Sequence, residues 1–189
     1  MNCSQDSVEE FIRACIDDPQ AAASLVRRSP ALLTASYAGD PIVHWLIAED
    51  YAEAVSGLLR LGVAVDVPNE AGRTPLGHAA SLGRLGCARI LLASGADANA
   101  SDPFMCNVLH AALVGGNTDV AVLLIRNGAR ADYVGPCYET VLRGIARLVP
   151  EMRAIMMEIL SEQGITRNGL FESKKLGEVF SGPEEAYGW

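Results

Sequence analysis

Two lysines, adjacent at Lys174 and Lys175, are all the ammonium charge in a chain of 189 residues, and with arginine they set 15 basic against 23 acidic side chains, a formal net charge of −8. A surface so poor in cations repels phosphate, which excludes nucleic acid and anionic membrane as expected partners. The same field steers a basic protein inward, although solubility is the more general reason for an acidic surface. Long hydrophobic runs are also missing. The longest uncharged stretch, Pro103 to Thr118, is broken by Asn, His and Gly and falls short of the roughly 20 apolar residues a membrane helix needs. Near the N-terminus, Asp6, Glu9 and Glu10 stand where a secretory leader would carry positive charge, so none is predicted there. The expectation is a soluble cytoplasmic protein.

Paired cysteines and catalytic signatures are absent as well. Cys3, Cys15, Cys87, Cys106 and Cys137 are odd in number and scattered, with no C-x-x-C pair. That usage predicts reduced thiols, buried or half-buried, in a reducing compartment. H-E-x-x-H, G-x-S-x-G, G-x-x-x-x-G-K-[ST] and G-x-G-x-x-G do not occur in a fitting context. The carboxylate pairs Glu9–Glu10 and Asp17–Asp18 are sequence neighbours, and adjacent helical residues do not face one another. The reading is a non-enzyme with no cofactor and no metal.

What is present is a period of 33 residues. Leu58, Leu59 and Gly62 return as Leu91, Leu92 and Gly95, then as Leu124, Ile125 and Gly128. Stacked repeats of this length bury a core between neighbours and leave one extended face free, an architecture suited to binding. Each copy reads as hairpin, helix, short turn, second helix and loop. In the middle copy Pro75 suits a first helical position, where its fixed φ is already helical and its missing N–H costs nothing. Thr74 can cap that helix. Small Ala79 and Ala80 allow close helix approach, Gly83 and Gly95 can end the two helices, and the pair Gly115–Gly116 reads as another terminator.

The run Gly72, Arg73, Thr74, Pro75, Leu76, Ala79, Ala80 and Gly83, closing with Leu91, Leu92, Gly95, Ala96, Asp97 and Asn99, resembles an ankyrin repeat. The resemblance implies an all-α, ankyrin-repeat solenoid of stacked helix pairs with short β-hairpin loops. Upstream, Pro41, Ile42, Val43 and His44 hold the Thr-Pro-Leu-His place, with Val55, Leu58 and Leu59 in the second helix. Downstream, Asn107, Val108, Leu109 and His110 hold it. The middle copy departs: Gly77 stands where His belongs and His78 follows, an early-helix glycine costing about 1 kcal/mol relative to Ala. A fourth, degenerate copy starts at Thr140, Val141 and Leu142, with Arg143 in place of His. His44 and His110 are two periods apart and should lie about 20 Å from each other in a stack of helix layers roughly 10 Å thick, so they cannot share an ion; the resemblance implies a structural hydrogen bond for each. His78 reads as a helix-surface or packing residue.

The ends read as caps. Ser7 with Glu10 forms a capping-box pattern ahead of the stripe Val8, Phe11, Ile12, Cys15 and Ile16. Asp18 and Pro19 start a second helix that stops at Ser29 and Pro30. The predicted organisation is residues 1–34 as a capping helix pair, repeats over 35–67, 68–100, 101–133 and 134–164, and 165–189 as a C-terminal cap, with Leu176, Val179 and Phe180 in one helical turn, or a mobile tail.

The resemblance further implies binding through the hairpin tips and the inner face of each first helix. Transferred by register, that concave groove takes Tyr37, Asp40 and Glu49 from the first copy and Glu70, Arg73, Ser81 and Leu82 from the second. The third supplies Pro103, Phe104, Cys106 and Val114; the fourth supplies Pro136, Cys137, Glu139 and Arg147. Tyr37 and Phe104 carry independent weight as aromatic anchors at positions expected to be solvated, with packing against the adjacent hairpin as the equal alternative. The expected partner is another protein, a basic one by charge, bound by a chain monomeric when free. Arginine outnumbers lysine thirteen to two and Ala is abundant, usage that suggests a GC-rich bacterial genome. Among small acidic bacterial proteins of this kind, an immunity-type inhibitor or adaptor is the leading expectation. A secreted effector or scaffold binding a host protein is the alternative, and an enzyme with an unrecognised site comes last.

Overall fold

The computed structural model describes residues 4–101 and 107–130, with Ala154, Glu158 and Ser161 as isolated helical positions. In chain order its elements are α1 (Gln5–Asp17), α2 (Pro19–Arg28), a 3-10 turn (Pro30–Thr34), β1 (Ser36–Tyr37), β2 (Asp40–Pro41), α3 (Ile42–Ala48), α4 (Ala52–Leu61), α5 (Pro75–Leu82), α6 (Leu85–Ala93), α7 (Val108–Val114) and α8 (Thr118–Arg126). Apart from one two-residue hairpin, every regular element among the described residues is helical, as the all-α reading requires. The fourth copy, the helical turn around Leu176 to Phe180 and the C-terminal segment lie outside the described residues. The chain forms two compact units. One takes the described residues up to Ala79 together with Arg84–Asp97, the other Ala80–Gly83 and the described residues from Ala98 onward.

In the first unit α1 and α2 pack on each other and on α4. The stripe of α1 is buried at Val8, Phe11, Ile12 and Cys15. Its start corrects the capping-box expectation. Ser4, not Ser7, is the N-cap: its Oγ accepts the Ser7 N–H at 3.3 Å, and Ser7 lies inside the first turn. The helix gains a turn because Gln5 and Asp6 are compatible with it and Asp6 then faces the positive end of the helix dipole. Asp18 caps α2 as expected, accepting from Gln20 and Ala21 at 3.0 and 3.1 Å, with Pro19 first in the helix.

The 33-residue period is written into the backbone. Asp50, Gly83 and Gly116, one period apart, all adopt the left-handed conformation, at φ 64°, 70° and 71°, and each follows the first helix of its repeat. Only Gly does this without steric cost, and Asp is among the few substitutes. In the first repeat Asp50 is held by Arg84, whose Nη1 lies 3.8 Å from its Oδ2. Arg84 also donates from Nη2 to the Ala48 carbonyl at 2.6 Å. One period later, within the second unit, Asn117 does the same work, its Nδ2 donating to the Ala80 and Ser81 carbonyls at 2.8 and 3.0 Å. Each side chain satisfies carbonyls that the end of a helix leaves without an intrahelical partner.

A second repeated bond exposes a local defect. In the second unit Asn99 accepts the Arg130 N–H at 2.8 Å and donates to the Gly128 carbonyl at 3.0 Å. Asp66 is its equivalent in the first unit and likewise takes the Asp97 N–H, but a carboxylate has no proton to give. Its Oδ1 is buried with no partner among the described residues. Burial, then the charge of Asp97, raise its pKa. Asp66→Asn should supply the missing donor to the Gly95 carbonyl and remove a like-charge contact, raising the unfolding free energy by about 1 kcal/mol near neutral pH. Urea denaturation checks this, and unchanged or lower stability would show that the repeat equivalence does not extend to this bond.

Candidate protein-binding face

The β1–β2 hairpin closes through Ala38 and Gly39, both with positive φ (53° and 96°), the backbone of a two-residue primed turn. Its register sets Tyr37 opposite Asp40. Helix α3 then buries Ile42, Val43, His44, Leu46 and Ile47 and leaves Trp45 half-buried and Glu49, its C-cap, exposed. Three rings line up on this side. Tyr37 meets Trp45 edge-on, with centroids 5.5 Å apart and planes at 76°. Trp45 stacks with Tyr51 at 6.1 Å and 29°. Tyr37 therefore packs on the first helix of its own repeat, and Tyr51 stays 40 % exposed. Trp45 and Tyr51 are absent from the sequence-derived set; an aromatic directly after the motif histidine, flanked by tyrosines on both connecting turns, is the signal that marks them.

Acidic groups stand at the hairpin end of the row. Asp40 accepts the Glu70 backbone N–H at 3.3 Å. The Glu70 carboxylate lies against the hairpin tip, since a Cβ on Gly39 would come 3.5 Å from its Oε1. The structure thus brings Tyr37, Asp40 and Glu70 together at the hairpin, while Glu49 stands at the C-terminal end of α3. Arg73 is half-buried there, and its Cγ lies 3.2 Å from where a Gly77 Cβ would stand, so its stem covers the glycine that replaced the motif histidine. In the second unit Ser81 is half-buried, and Leu82 and Val114 are 43 % and 62 % exposed. Pro103, Phe104, Cys106, Pro136, Cys137, Glu139 and Arg147 lie outside the described residues.

The terminator reading of Gly115–Gly116 needs refinement. Gly116 has the positive φ; Gly115 sits at −72°, a value any residue adopts. A Cβ on Gly115 would come 2.7 Å from the Ser81 carbonyl oxygen and 2.5 Å from Asn117 Nδ2. Close approach is what requires glycine there.

Under this face lies a pair of imidazoles. His44 is fully buried, and its Nε2 is 2.8 Å from the Val67 carbonyl, the structural bond the resemblance implied. A carbonyl only accepts, so Nε2 carries the proton and the neutral ring's Nδ1 is an acceptor. That nitrogen is 3.3 Å from His78 Nδ1, which must therefore be the donor. His78 compensates for Gly77 by reaching the neighbouring repeat's histidine. Burial first, then the charges of His44 and Arg73, push the His78 pKa down to about 4 against a smaller opposing effect of Asp40. Burial also lowers that of His44, the Val67 bond and Asp40 opposing it and Arg73 adding to it. Both rings are neutral structural elements. Burial likewise pushes the Cys15 and Cys87 thiols up to about 12, which removes them as nucleophiles at neutral pH. An apolar cavity of about 220 Å³ between the 3-10 turn and the 62–67 loop, lined by Leu33, Ile42, Leu58, Val63 and Val67 among others, has no charged side chain in its wall.

The chain matches the model of ankyrin repeats over residues 2–102 and 32–134. It belongs to the ankyrin-repeat family, whose members are protein-binding modules. It is 35 % identical to human cyclin-dependent kinase inhibitor 2A over 97 residues, 49 % of this chain and 62 % of that protein. It thus spans less than two thirds of that relative's length.

Proposed function

We propose that this chain is a stoichiometric protein binder that acts through the hairpin and first-helix face, as an immunity-type inhibitor or adaptor of a cytoplasmic partner. The observation that carries this is the aromatic row of Tyr37, Trp45 and Tyr51, left partly open at Tyr51, with Asp40 and Glu70 at its hairpin end. Aromatic anchors held by packing bind at low entropic cost. The human relative is by name a kinase inhibitor, which favours an inhibitor over a passive scaffold.

Affinity capture of the tagged full chain from its own cell lysate, with Tyr37→Ala/Glu70→Arg as control bait, tests the proposal. One partner in equal molar amount, lost with the control and inhibited by the purified chain, is the expected result. A partner held equally by both baits would place binding elsewhere. Failure to bind or inhibit any product encoded beside the gene would remove the immunity version.

A further inference from the structure

We infer that the row of Tyr37, Trp45 and Tyr51 receives an arginine side chain presented by a basic segment of the partner protein. This deepens the binding proposal above and rests on it. The first ground is the surface itself. Trp45 is edge-on to Tyr37 and stacked with Tyr51, so the row is a stepped aromatic surface whose Tyr51 end stays 40 % exposed, and aromatic faces, indole above all, attract a cation.

The second ground is charge. Among the described residues, no ion pair within 4.0 Å joins Asp40, Glu49 or Glu70 to any cation, whereas Asp50 is taken by Arg84. Asp40 is placed opposite Tyr37 by the hairpin register. Glu70 is drawn to the same tip by its backbone bond to Asp40. Glu49 follows Trp45 by one turn of α3. Two carboxylates therefore stand at the hairpin end of the row and a third ends the helix that carries Trp45, and the chain as a whole is acidic.

The third ground is shape. A guanidinium is planar, so it can lie on a ring and still present a fork of N–H donors in its own plane to a carboxylate. A lysine ammonium is a strongly hydrated point charge that cannot do both. Of the internal arginines, Arg84 is committed to Asp50 and the Ala48 carbonyl.

The test uses the full chain carrying Trp189→Phe, so that Trp45 is the only indole left. It is titrated with a capped Gly-Arg-Gly-Arg-Gly peptide and with the same peptide bearing lysine or citrulline, following Trp45 emission and its indole N–H resonance. The arginine peptide should bind roughly tenfold more tightly than the lysine peptide, and the neutral citrulline peptide should not bind measurably. Tyr51→Ala and Glu70→Gln should each weaken arginine binding several-fold while far-ultraviolet circular dichroism stays unchanged. Equal affinity for arginine and lysine, or no response at Trp45, would overturn the inference. Loss of the captured partner with Tyr37→Ala/Glu70→Arg, combined with no arginine preference, would sink this inference and leave the binding face standing.

Discussion

Leu91→Ala lowers the unfolding free energy by about 2 to 5 kcal/mol, the range for deleting a fully buried leucine side chain. Leu91 lies in α6, which packs on α4, and is wholly buried. Its periodic equivalents Leu58 and Leu124 are 1 % and 0 % exposed, so three copies of one residue occupy the same interior place. The cost has two parts: the lost transfer of methyl and methylene groups out of water, and the cavity a helix pair cannot close without moving its backbone. For a protein whose whole stability is about 5 to 15 kcal/mol, such a loss is a large fraction. Urea titration reads it directly. Val114→Ala, at a side chain 62 % exposed, is the control and should stay within about 0.5 kcal/mol of the parent. Equal effects of the two changes would contradict the burial pattern.

Acidification is the second large effect. The folded-state pKa values of His44 and His78 both lie below the unfolded value near 6.5. The unfolded chain therefore binds more protons between the two values, and stability rises with pH across that window. Stability from this pair is fully present above about pH 6.5 and is lost as the pH falls toward about 4. A second proton also destroys the bond itself, since two protonated Nδ1 atoms at 3.3 Å would both be donors. His78 is only half-buried, so solvent screening reduces the full linkage value to about 1 to 2 kcal/mol. His78→Gln keeps a donor for His44 and cannot titrate. The parent should lose that stability between about pH 6.5 and about pH 4, and the variant should show a clearly shallower slope. Asp66 works in the opposite direction because its pKa is raised, and the comparison of parent with variant cancels it. Identical slopes would remove the histidine pair as the cause.

Register and capping were legible in the chain because they depend on local stereochemistry. Pro75 at a helix start, Asp18 with Pro19, and Gly83 and Gly95 at helix ends are properties of φ preferences and lone N–H groups set by neighbours a few residues apart, whereas the 33-residue spacing is a property of periodic burial and the His44 bond came with the family resemblance. Tyr37, Asp40 and Glu70 were singled out through repeat register, and the hairpin places them beside one another. Ser4 displaced Ser7 as the cap because competing caps one turn apart differ by small energies that pattern alone cannot rank.

Tertiary structure decided the rest. The sequence by itself determined the family, the helix pairs and the interior leucines, since a period shared by several copies averages out the accidents of any one. Only the folded chain showed that His78 reaches across one period to His44, that Gly115 is needed for approach to the Ser81 carbonyl, and that Trp45 and Tyr51 complete the row begun by Tyr37. Each of these is a contact between particular side chains that the repeat pattern does not specify, created when backbones converge and side chains find the space that remains.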